Sequence, residues 1–327
     1  MIQLETASRS PEILNLGDKR IVLTGGSGFI GSHVAEVLHA RGVPDSHVLI
    51  PRSAEYDLRR YEDCVRAVNG ADIVIHLAAL ARGLRFLRKH PAEVFDDNAL
   101  MGINLLKAAR EAGVEKYLTA GSIYVYPQDA AIPLVEDAIG SGPPNPGASA
   151  YGMAKLLLLS QIQAYAQQYD FRGLYIVLAN IYGPRDNFSL KDGKVLPSLI
   201  RRIVEAQDMG TDHIDVWGTG RPTRDFLYVE DAAEGIVRAI EEYDQSDPVN
   251  LGAGVETPIK TLVEAIAQLL NFSGEIRWDT SKPDGAMRFC SDITRAQEKF
   301  HFRPQTSLDE GLRITIEWFK EHQKEIV

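Results

Sequence analysis

The sequence predicts an α/β fold in which a doubly wound parallel sheet is joined to a second, smaller α/β lobe. Short apolar runs alternate with segments of helical periodicity from Lys19 to about residue 183. One run, residues 72–77 (DIVIHL), is apolar enough to be buried on both faces of a sheet. A glycine-rich turn joins the first run to the first helix. Such alternation predicts parallel strands, and right-handed crossovers place helices on both faces.

The elements of the first lobe follow from residue type and spacing. Apolar side chains at Ile30, Val34 and Leu38 recur on one face of the first helix. Pro91 suits the first turn of a later helix, and Gly113 suits its end. The predicted strands cover residues 21–24, 48–50, 72–77, 116–120 and 174–178. The predicted helices cover residues 29–41, 91–112 and 151–169.

The chain divides into three predicted parts. Residues 1–18 have no periodic pattern and are interpreted as an N-terminal surface extension. Residues 19–183 form the Rossmann-type lobe, and residues 184–327 form a substrate lobe interleaved with it. Helices are expected in the second lobe at roughly 195–207, 229–242, 258–270 and 308–320.

Composition and charge exclude several classes of protein. The 327 residues are 45% hydrophobic and 24% charged, as in globular proteins, and the net charge is -10. The sequence lacks the basic stripe of a nucleic-acid binder and any apolar run long enough to cross a membrane. Cys64 and Cys290 are not in metal-ligand spacing, and no histidine motif indicates a metal. We expect a cytoplasmic protein with reduced thiols.

The glycine-rich turn has the spacing of a dinucleotide-binding loop. Gly25 permits a tight turn, Gly28 permits close approach of a diphosphate, and Gly31 permits helix–strand packing. The N-terminus of the following helix attracts anions. A turn that binds nothing is disfavoured by the strand–turn–helix context. The predicted cofactor contacts here are Gly25, Ser27, Gly28, Phe29, Ile30 and Gly31.

The end of the second strand favours NADP over NAD. An NAD site usually places Asp or Glu there, but the segment contains Arg52. Arg52 and the hydroxyl of Ser27 can bind a 2′-phosphate, although a solvated surface arginine is the alternative. Asp57 and Leu58 are expected near the adenine. Leu77, Ala78 and Ala79 are expected beside the nicotinamide ribose.

A Ser–Tyr–Lys constellation carries the predicted chemistry. Tyr151 and Lys155 are four residues apart and therefore share a helix face. The ammonium of Lys155 is expected to lower the pKa of Tyr151, which exchanges a proton with a hydroxyl or carbonyl. Ser122 ends a strand, where open α/β sheets bind ligands. All three residues are predicted to be catalytic, and Tyr151 and Lys155 are also predicted to contact the cofactor.

With these residues the chain resembles the extended short-chain dehydrogenase/reductase family, and within it the GDP-L-fucose synthases. The likeness runs from Ile21 to about Phe319. It includes the segments 180–184 (NIYGP), 186–188 (DNF), 195–197 (VLP), 216–220 (VWGTG), 224–227 (RDFL) and 281–285 (SKPDG). The resemblance implies a nucleotide-sugar substrate, most simply a GDP-linked hexose or heptose, and a homodimer through a four-helix bundle of residues 91–112 and 151–169.

The resemblance also implies further site residues. Ala179 and Ile181 join the cofactor site. Arg202 and Arg224 suit a diphosphate, and Trp217 suits stacking on a sugar or base. A structural ion pair is the alternative for each arginine, and core packing is the alternative for Trp217. The implied substrate contacts are Ser122, Tyr124, Asn180, Lys194, Val195, Arg202, Trp217, Arg224 and Lys282.

The chain departs from fucose synthases at two positions. Those enzymes use a Cys two residues after the active-site Ser and a His before the Val-(Ile/Leu)-Pro motif to epimerise C3 and C5. Tyr124 and Lys194 occupy these positions here. Phenol and ammonium titrate further from neutrality than thiol and imidazole, which predicts loss of the epimerase activity. We therefore expect a 4-ketoreductase or 4-dehydrogenase. The alternatives are a nucleotide-sugar 4-epimerase, a complete 3,5-epimerase/4-reductase and a cofactor-binding regulatory protein.

Overall fold

The computed structural model describes residues 13–282 and 284–326 as an α/β protein. The strands are β1 (Ile21–Thr24), β2 (Val48–Leu49), β3 (Ile73–His76), β4 (Lys116–Ser122), β5 (Gly173–Leu178), β6 (Asn180–Tyr182), β7 (His213–Trp217), β8 (Thr223–Arg224), β9 (Phe226–Tyr228), β10 (Val249–Leu251), β11 (Thr257–Pro258) and β12 (Glu275–Asp279). The helices are α1 (Phe29–Ala40), α2 (Tyr61–Val68), α3 (Leu84–Lys89), α4 (Pro91–Glu111), α5 (Ser149–Tyr169), α6 (Val195–Asp208), α7 (Val229–Glu242), α8 (Ile259–Leu269), α9 (Thr294–Phe300) and α10 (Leu308–Ile326).

The central sheet has six parallel strands in the order β2-β1-β3-β4-β5-β10. Successive residues of β1 pack on opposite faces of this sheet. Ile21 and Leu23 join the apolar cluster that contains α1 and α7, and Val22 joins the cluster of α2, α4 and α5. Helices therefore cover both faces, which confirms the predicted doubly wound fold.

The strand order places a topological switch beside β1. The next strand along the chain, β2, pairs with one side of β1, and β3 pairs with the other. The connections after β1 and β3 therefore leave the sheet in opposite directions. Open α/β sheets bind ligands in the crevice that forms at such a point, outside the carboxyl ends of the strands.

The chain after residue 183 forms small sheets and also returns to the central one. Strands β6 and β9, β7 and β12, and β8 and β11 form three two-stranded pairs. Helices α6, α8 and α10 pack against one another, whereas α7 packs against α1 and β10 extends the central sheet. The division into lobes at residue 183 stays a prediction.

Short elements and the start of the chain differ from the sequence expectations. Helices α2, α3 and α9 are not predicted, because a helix of two turns shows little periodicity. Residues 1–12 of the predicted extension lie outside the described residues. Within residues 13–18, Ile13 is 71% exposed, but Leu16 is 2% exposed in the core and the Leu14 N–H donates to the Glu241 carbonyl oxygen at 2.9 Å, so this segment is attached to the fold. None of the helices in the described ranges has the length and apolar character that a bilayer crossing requires.

Candidate active site

The turn after β1 leaves room for a ligand because it is built from glycine. Gly25 has a φ of +73°, in the left-handed region, and a Cβ there would lie 2.8 Å from the Ala78 nitrogen. A Cβ on Gly31 would overlap the Gly25 carbonyl oxygen. Gly28 is the N-cap of α1, and no described side chain caps that helix. The first N–H groups of α1 are therefore free to bind an anion.

A cavity of about 990 Å³ opens from this turn, at the carboxyl ends of β1 and β3. The structure brings most of the predicted cofactor residues together in its wall. They are Gly25, Ser27, Gly28, Phe29, Ile30, Gly31, Arg52, Asp57, Leu58, Leu77, Ala78 and Ala79. The other four do not line it: Tyr151, Lys155, Ala179 and Ile181. The glycine cradle, the uncapped helix and the size of the cavity all fit a dinucleotide.

Several cations of the cavity were not predicted from the sequence. Arg59 donates to Asp57 at 2.8 Å and also pairs with Asp97, while Arg185 donates to Ser32 and Glu36 on α1. These arginines lie far along the chain from the glycine turn. The only sequence signal for Arg185 is its place between the NIYGP and DNF segments.

Arg52 is exposed at the cavity wall, and its side chain has no hydrogen bond or ion pair with residues 13–282 or 284–326. Its guanidinium is thus available to a phosphate, whereas Arg59 is held by two carboxylates. The residues that follow β2 include Arg52 and no Asp or Glu up to Ala54.

Ser122, Tyr151 and Lys155 lie at the ends of neighbouring elements. Ser122 ends β4, and α5 carries Tyr151 and Lys155 one turn apart, both at least nine-tenths buried. The Lys155 Nζ lies 5.8 Å from the centre of the Tyr151 ring. Gly152 allows α5 to approach the chain after β4, because a Cβ there would overlap the Tyr124 carbonyl oxygen.

Burial controls the titration of this pair. It raises the pKa of Tyr151 above its usual value, and the neighbouring Tyr124 raises it further. It lowers the pKa of Lys155 to about 8. The predicted lowering of the Tyr151 pKa by Lys155 is not what the structure shows, because desolvation disfavours the charged form of each group. Tyr151 is therefore protonated at neutral pH and is a proton donor.

An aromatic cluster connects these residues to the second part of the chain. The Tyr124 ring is edge-on to Tyr151 at 6.4 Å between centres and to Phe289 at 6.0 Å. Arg224 stacks over Phe289 at 5.3 Å and donates to the carbonyl oxygens of Thr223 and Ala286. Arg224 pairs with no carboxylate within the described ranges, so the structural ion-pair alternative does not hold for it.

The remaining predicted substrate residues form two further groups. Trp217 ends β7 and is 60% exposed, which excludes the core-packing alternative. The Lys282 Nζ lies 6.0 Å from the centre of the Trp217 ring. Arg202 donates to the carbonyl oxygen of Asp215, which is two residues before Trp217 in the chain. Arg202 likewise has no carboxylate partner in the part of the chain that is described. An exposed aromatic ring with cations beside it can bind a base or a sugar.

Asn180, Lys194 and Val195 are near in sequence to residues 185–187, which line the 990 Å³ cavity. Asn180 donates through its side chain to the Asp225 carbonyl oxygen at 3.2 Å, and Val195 begins α6 with 40% exposure. Ala179 and Ile181 flank Asn180 and are buried. Lys194 lines the 990 Å³ cavity, and its role as a substrate contact stays a prediction.

Comparison with known proteins gives the family. Residues 21–252 match the model of the NAD dependent epimerase/dehydratase family. The chain belongs to this family. This family member is 35% identical over 318 residues to probable GDP-L-fucose synthase 1 of Oryza sativa subsp. japonica, covering 95% of this chain and 96% of the relative. It is also 35% identical to the GDP-L-fucose synthase of Sinorhizobium fredii, covering 93% and 96% of the two chains.

A solved structure gives the same result. The epimerase/dehydratase fold of this chain superimposes on a GDP-L-fucose synthetase from Naegleria fowleri bound to NADP. The TM-score is 0.84 at 28% identity, with 97% of this chain and 98% of that one covered. Together these findings confirm the predicted family, and the chain is an NAD(P)-dependent enzyme of the extended short-chain dehydrogenase/reductase type.

Proposed function

We propose that this enzyme is an NADP(H)-dependent oxidoreductase that reduces the C4 ketone of a GDP-linked sugar. The observation that carries the proposal is the buried Tyr151 one turn from the buried Lys155 near the start of α5, with Ser122 at the end of β4. The carboxyl ends of β3 and β4 are adjacent, so this group lies next to the cavity that begins at β1 and β3. The names of the relatives support a GDP-linked substrate.

The residues divide the reaction between them. The bound dinucleotide supplies the hydride that reaches C4. The Ser122 hydroxyl holds the carbonyl oxygen, and the Tyr151 phenol gives its proton to that oxygen as the carbonyl becomes an alcohol. Lys155 remains beside the Tyr151 phenolate, and its ammonium stabilises the negative charge on the phenolate oxygen. Solvent then returns the proton to Tyr151.

The two residues at the epimerisation positions do not form an acid/base pair. The rings around Tyr124 bury it and raise its pKa, so its phenol does not ionise near neutral pH. Lys194 donates to the Ile181 carbonyl oxygen at 3.1 Å and faces Asp186 at 3.6 Å. Removing a proton from C3 or C5 requires a deprotonated base, and the buried, protonated phenol of Tyr124 is not one. These contacts support reduction without epimerisation.

The experiment uses a GDP-4-keto-6-deoxy sugar with NADPH deuterated at the transferred position in H₂O, and unlabelled NADPH in D₂O. We expect deuterium at C4 in the first reaction and none at C3 or C5 in the second, read by NMR against a no-enzyme control. Deuterium at C3 or C5 would establish the bifunctional alternative. In a parallel reaction with a 4-hydroxy GDP-sugar, a C4-inverted product without net consumption of the cofactor would establish a 4-epimerase. Absence of turnover with a panel of sugar nucleotides would favour a regulatory protein.

A further inference from the structure

We infer that Lys194 is a cofactor-binding residue whose ammonium contacts the diphosphate of the dinucleotide at the N-terminus of α1. The inference rests on the proposed assignment of the 990 Å³ cavity to NADP(H). Under this inference Lys194 binds the dinucleotide and is not one of the substrate contacts predicted from the sequence.

The position of the ammonium is the first reason. The Lys194 Nζ lies 5.0 Å from the centre of the Phe29 ring, and Phe29 is the first residue of α1. Gly28, the residue before it, caps this helix without a side chain. The Lys194 ammonium therefore lies near the side chain of the residue that begins α1, and both Lys194 and the free N–H end of this helix line the same cavity.

The second reason is that the loop holds Lys194 in place before a ligand binds. The Gly193 N–H donates to the Ser189 carbonyl oxygen at 2.8 Å, and there is no space for a Cβ on Gly193. The Lys194 ammonium donates one hydrogen bond to the Ile181 carbonyl oxygen at 3.1 Å. Its nitrogen also lies 3.6 Å from the Asp186 Oδ1. An ammonium has three donors, so at least one remains for a ligand. A preorganised donor of this kind loses little entropy on binding.

The third reason is a buried acceptor in the same wall of the cavity. Asp186 is 8% exposed, and its Oδ2 is buried with no hydrogen-bond partner in residues 13–282 and 284–326. A buried carboxylate oxygen requires a donor. The ribose hydroxyls that flank the diphosphate of a dinucleotide are such donors. The Lys194–Asp186 pair thus leaves one ammonium hydrogen free for a ligand, beside a cavity-lining carboxylate whose Oδ2 no described residue satisfies.

The test separates the two halves of the cofactor and the two ligands of the enzyme. Lys194→Met keeps the length of the side chain and removes its charge. Lys191→Met is the matched control, because Lys191 is exposed on the same loop and does not line the cavity. Titration calorimetry measures three ligands: NADP⁺, adenosine 2′-monophosphate, which lacks the diphosphate, and GDP.

We expect Lys194→Met to weaken NADP⁺ binding about tenfold, the value of one charge-assisted hydrogen bond. Binding of adenosine 2′-monophosphate and of GDP should stay as in the wild type, and Lys194→Arg should restore most of the NADP⁺ affinity. A general structural defect would weaken all three ligands and would not be rescued by Arg.

Two outcomes overturn the inference. If Lys194→Met weakens GDP binding and leaves NADP⁺ unchanged, Lys194 belongs to the substrate site. If the substitution changes the affinity for neither NADP⁺ nor GDP, the ammonium makes no contact that contributes to binding either ligand. Failure of the proposed function is a separate result, since the wild-type protein would then bind neither NADP⁺ nor adenosine 2′-monophosphate.

Discussion

Tyr151 and Lys155 illustrate how burial prepares single residues for chemistry. The phenol keeps its proton because its environment disfavours the anion, and the ammonium is held at a cost because its environment disfavours the cation. In ketone reduction the phenol must begin the reaction protonated. The direction of the Tyr151 pKa shift is therefore consistent with a reductase.

Tyr151→Phe removes the proton donor and keeps the ring. We expect the rate of hydride transfer to fall by at least about 10²-fold, the usual contribution of a general acid, with unchanged binding of the GDP-sugar. Single-turnover loss of NADPH absorbance measures the rate. Tyr165→Phe is the control, because Tyr165 lies further along α5 against Tyr169 and Phe171. A near-normal rate for Tyr151→Phe would mean that Tyr151 only packs in the helix.

Lys155→Met should make the enzyme inactive and more stable. The wild-type chain bears the full cost of desolvating the Lys155 cation below pH 8, where both the folded and unfolded states bind the proton. Between pH 8 and 10.5 only the unfolded state binds it, so wild-type stability rises with pH and the advantage of the variant shrinks.

Urea unfolding at pH 7 and at pH 9.5 measures this difference. We expect a gain of about 1–3 kcal/mol at pH 7 and a smaller one at pH 9.5. Lys299→Met, at an exposed site near the end of α9, should show no such pH dependence. An equal gain at both pH values would contradict the assigned titration.

At the scale of elements, the catalytic geometry depends on how closely α5 approaches the chain after β4. Gly152 lies between Tyr151 and Lys155 in sequence and faces the Tyr124 carbonyl oxygen. The YxxxK pattern allows any residue type at this position, but the packing leaves no space for a Cβ. In the chain that α5 approaches, the Tyr124 N–H donates to the Ser122 Oγ, with 3.4 Å between nitrogen and oxygen.

Gly152→Ala should push the start of α5 away from β4. We expect the free energy of unfolding to fall by about 1–3 kcal/mol, the usual cost of overpacking, and the turnover number to fall with it. Thermal unfolding and steady-state assays measure the two effects. Ser160→Ala, at an exposed site on the same helix, is the control and should change neither. A fully stable and active Gly152→Ala enzyme would show that the helix does not need this contact.

At the scale of the whole molecule, we propose that two copies associate through α4 and α5. The two helices pack along each other, and their outer surface carries exposed apolar side chains, including Leu100 at 45% and Met153 at 42%. A two-fold axis beside them would form a four-helix bundle and bury this surface.

A double substitution, Leu100→Glu with Met153→Glu, should separate the copies, because burying carboxylates in an apolar interface is costly. Sedimentation equilibrium should show a dimer for the wild type and a monomer for the double variant. Met209→Glu serves as the control, since Met209 is 75% exposed at the end of α6, away from this surface. A monomeric wild-type protein would refute the proposal.

Local patterns of the sequence were sufficient for the fold class and for many residues that line the 990 Å³ cavity. The strand–turn–helix from Ile21 to Ala40 is a short-range unit, so glycine spacing and helical periodicity specify it without distant contacts. The YxxxK spacing likewise places two side chains on one face by helix geometry alone. Both features can therefore be predicted from residue type and spacing alone.

Tertiary structure decided the properties that depend on residues far apart in the chain. The position of Lys194 results from contacts with Ile181, Asp186 and Phe29, of which only the last belongs to the glycine turn. The pKa direction of Tyr151 results from burial that several elements create together. A residue pattern records neither, because desolvation and long-range contacts exist only once the chain has folded.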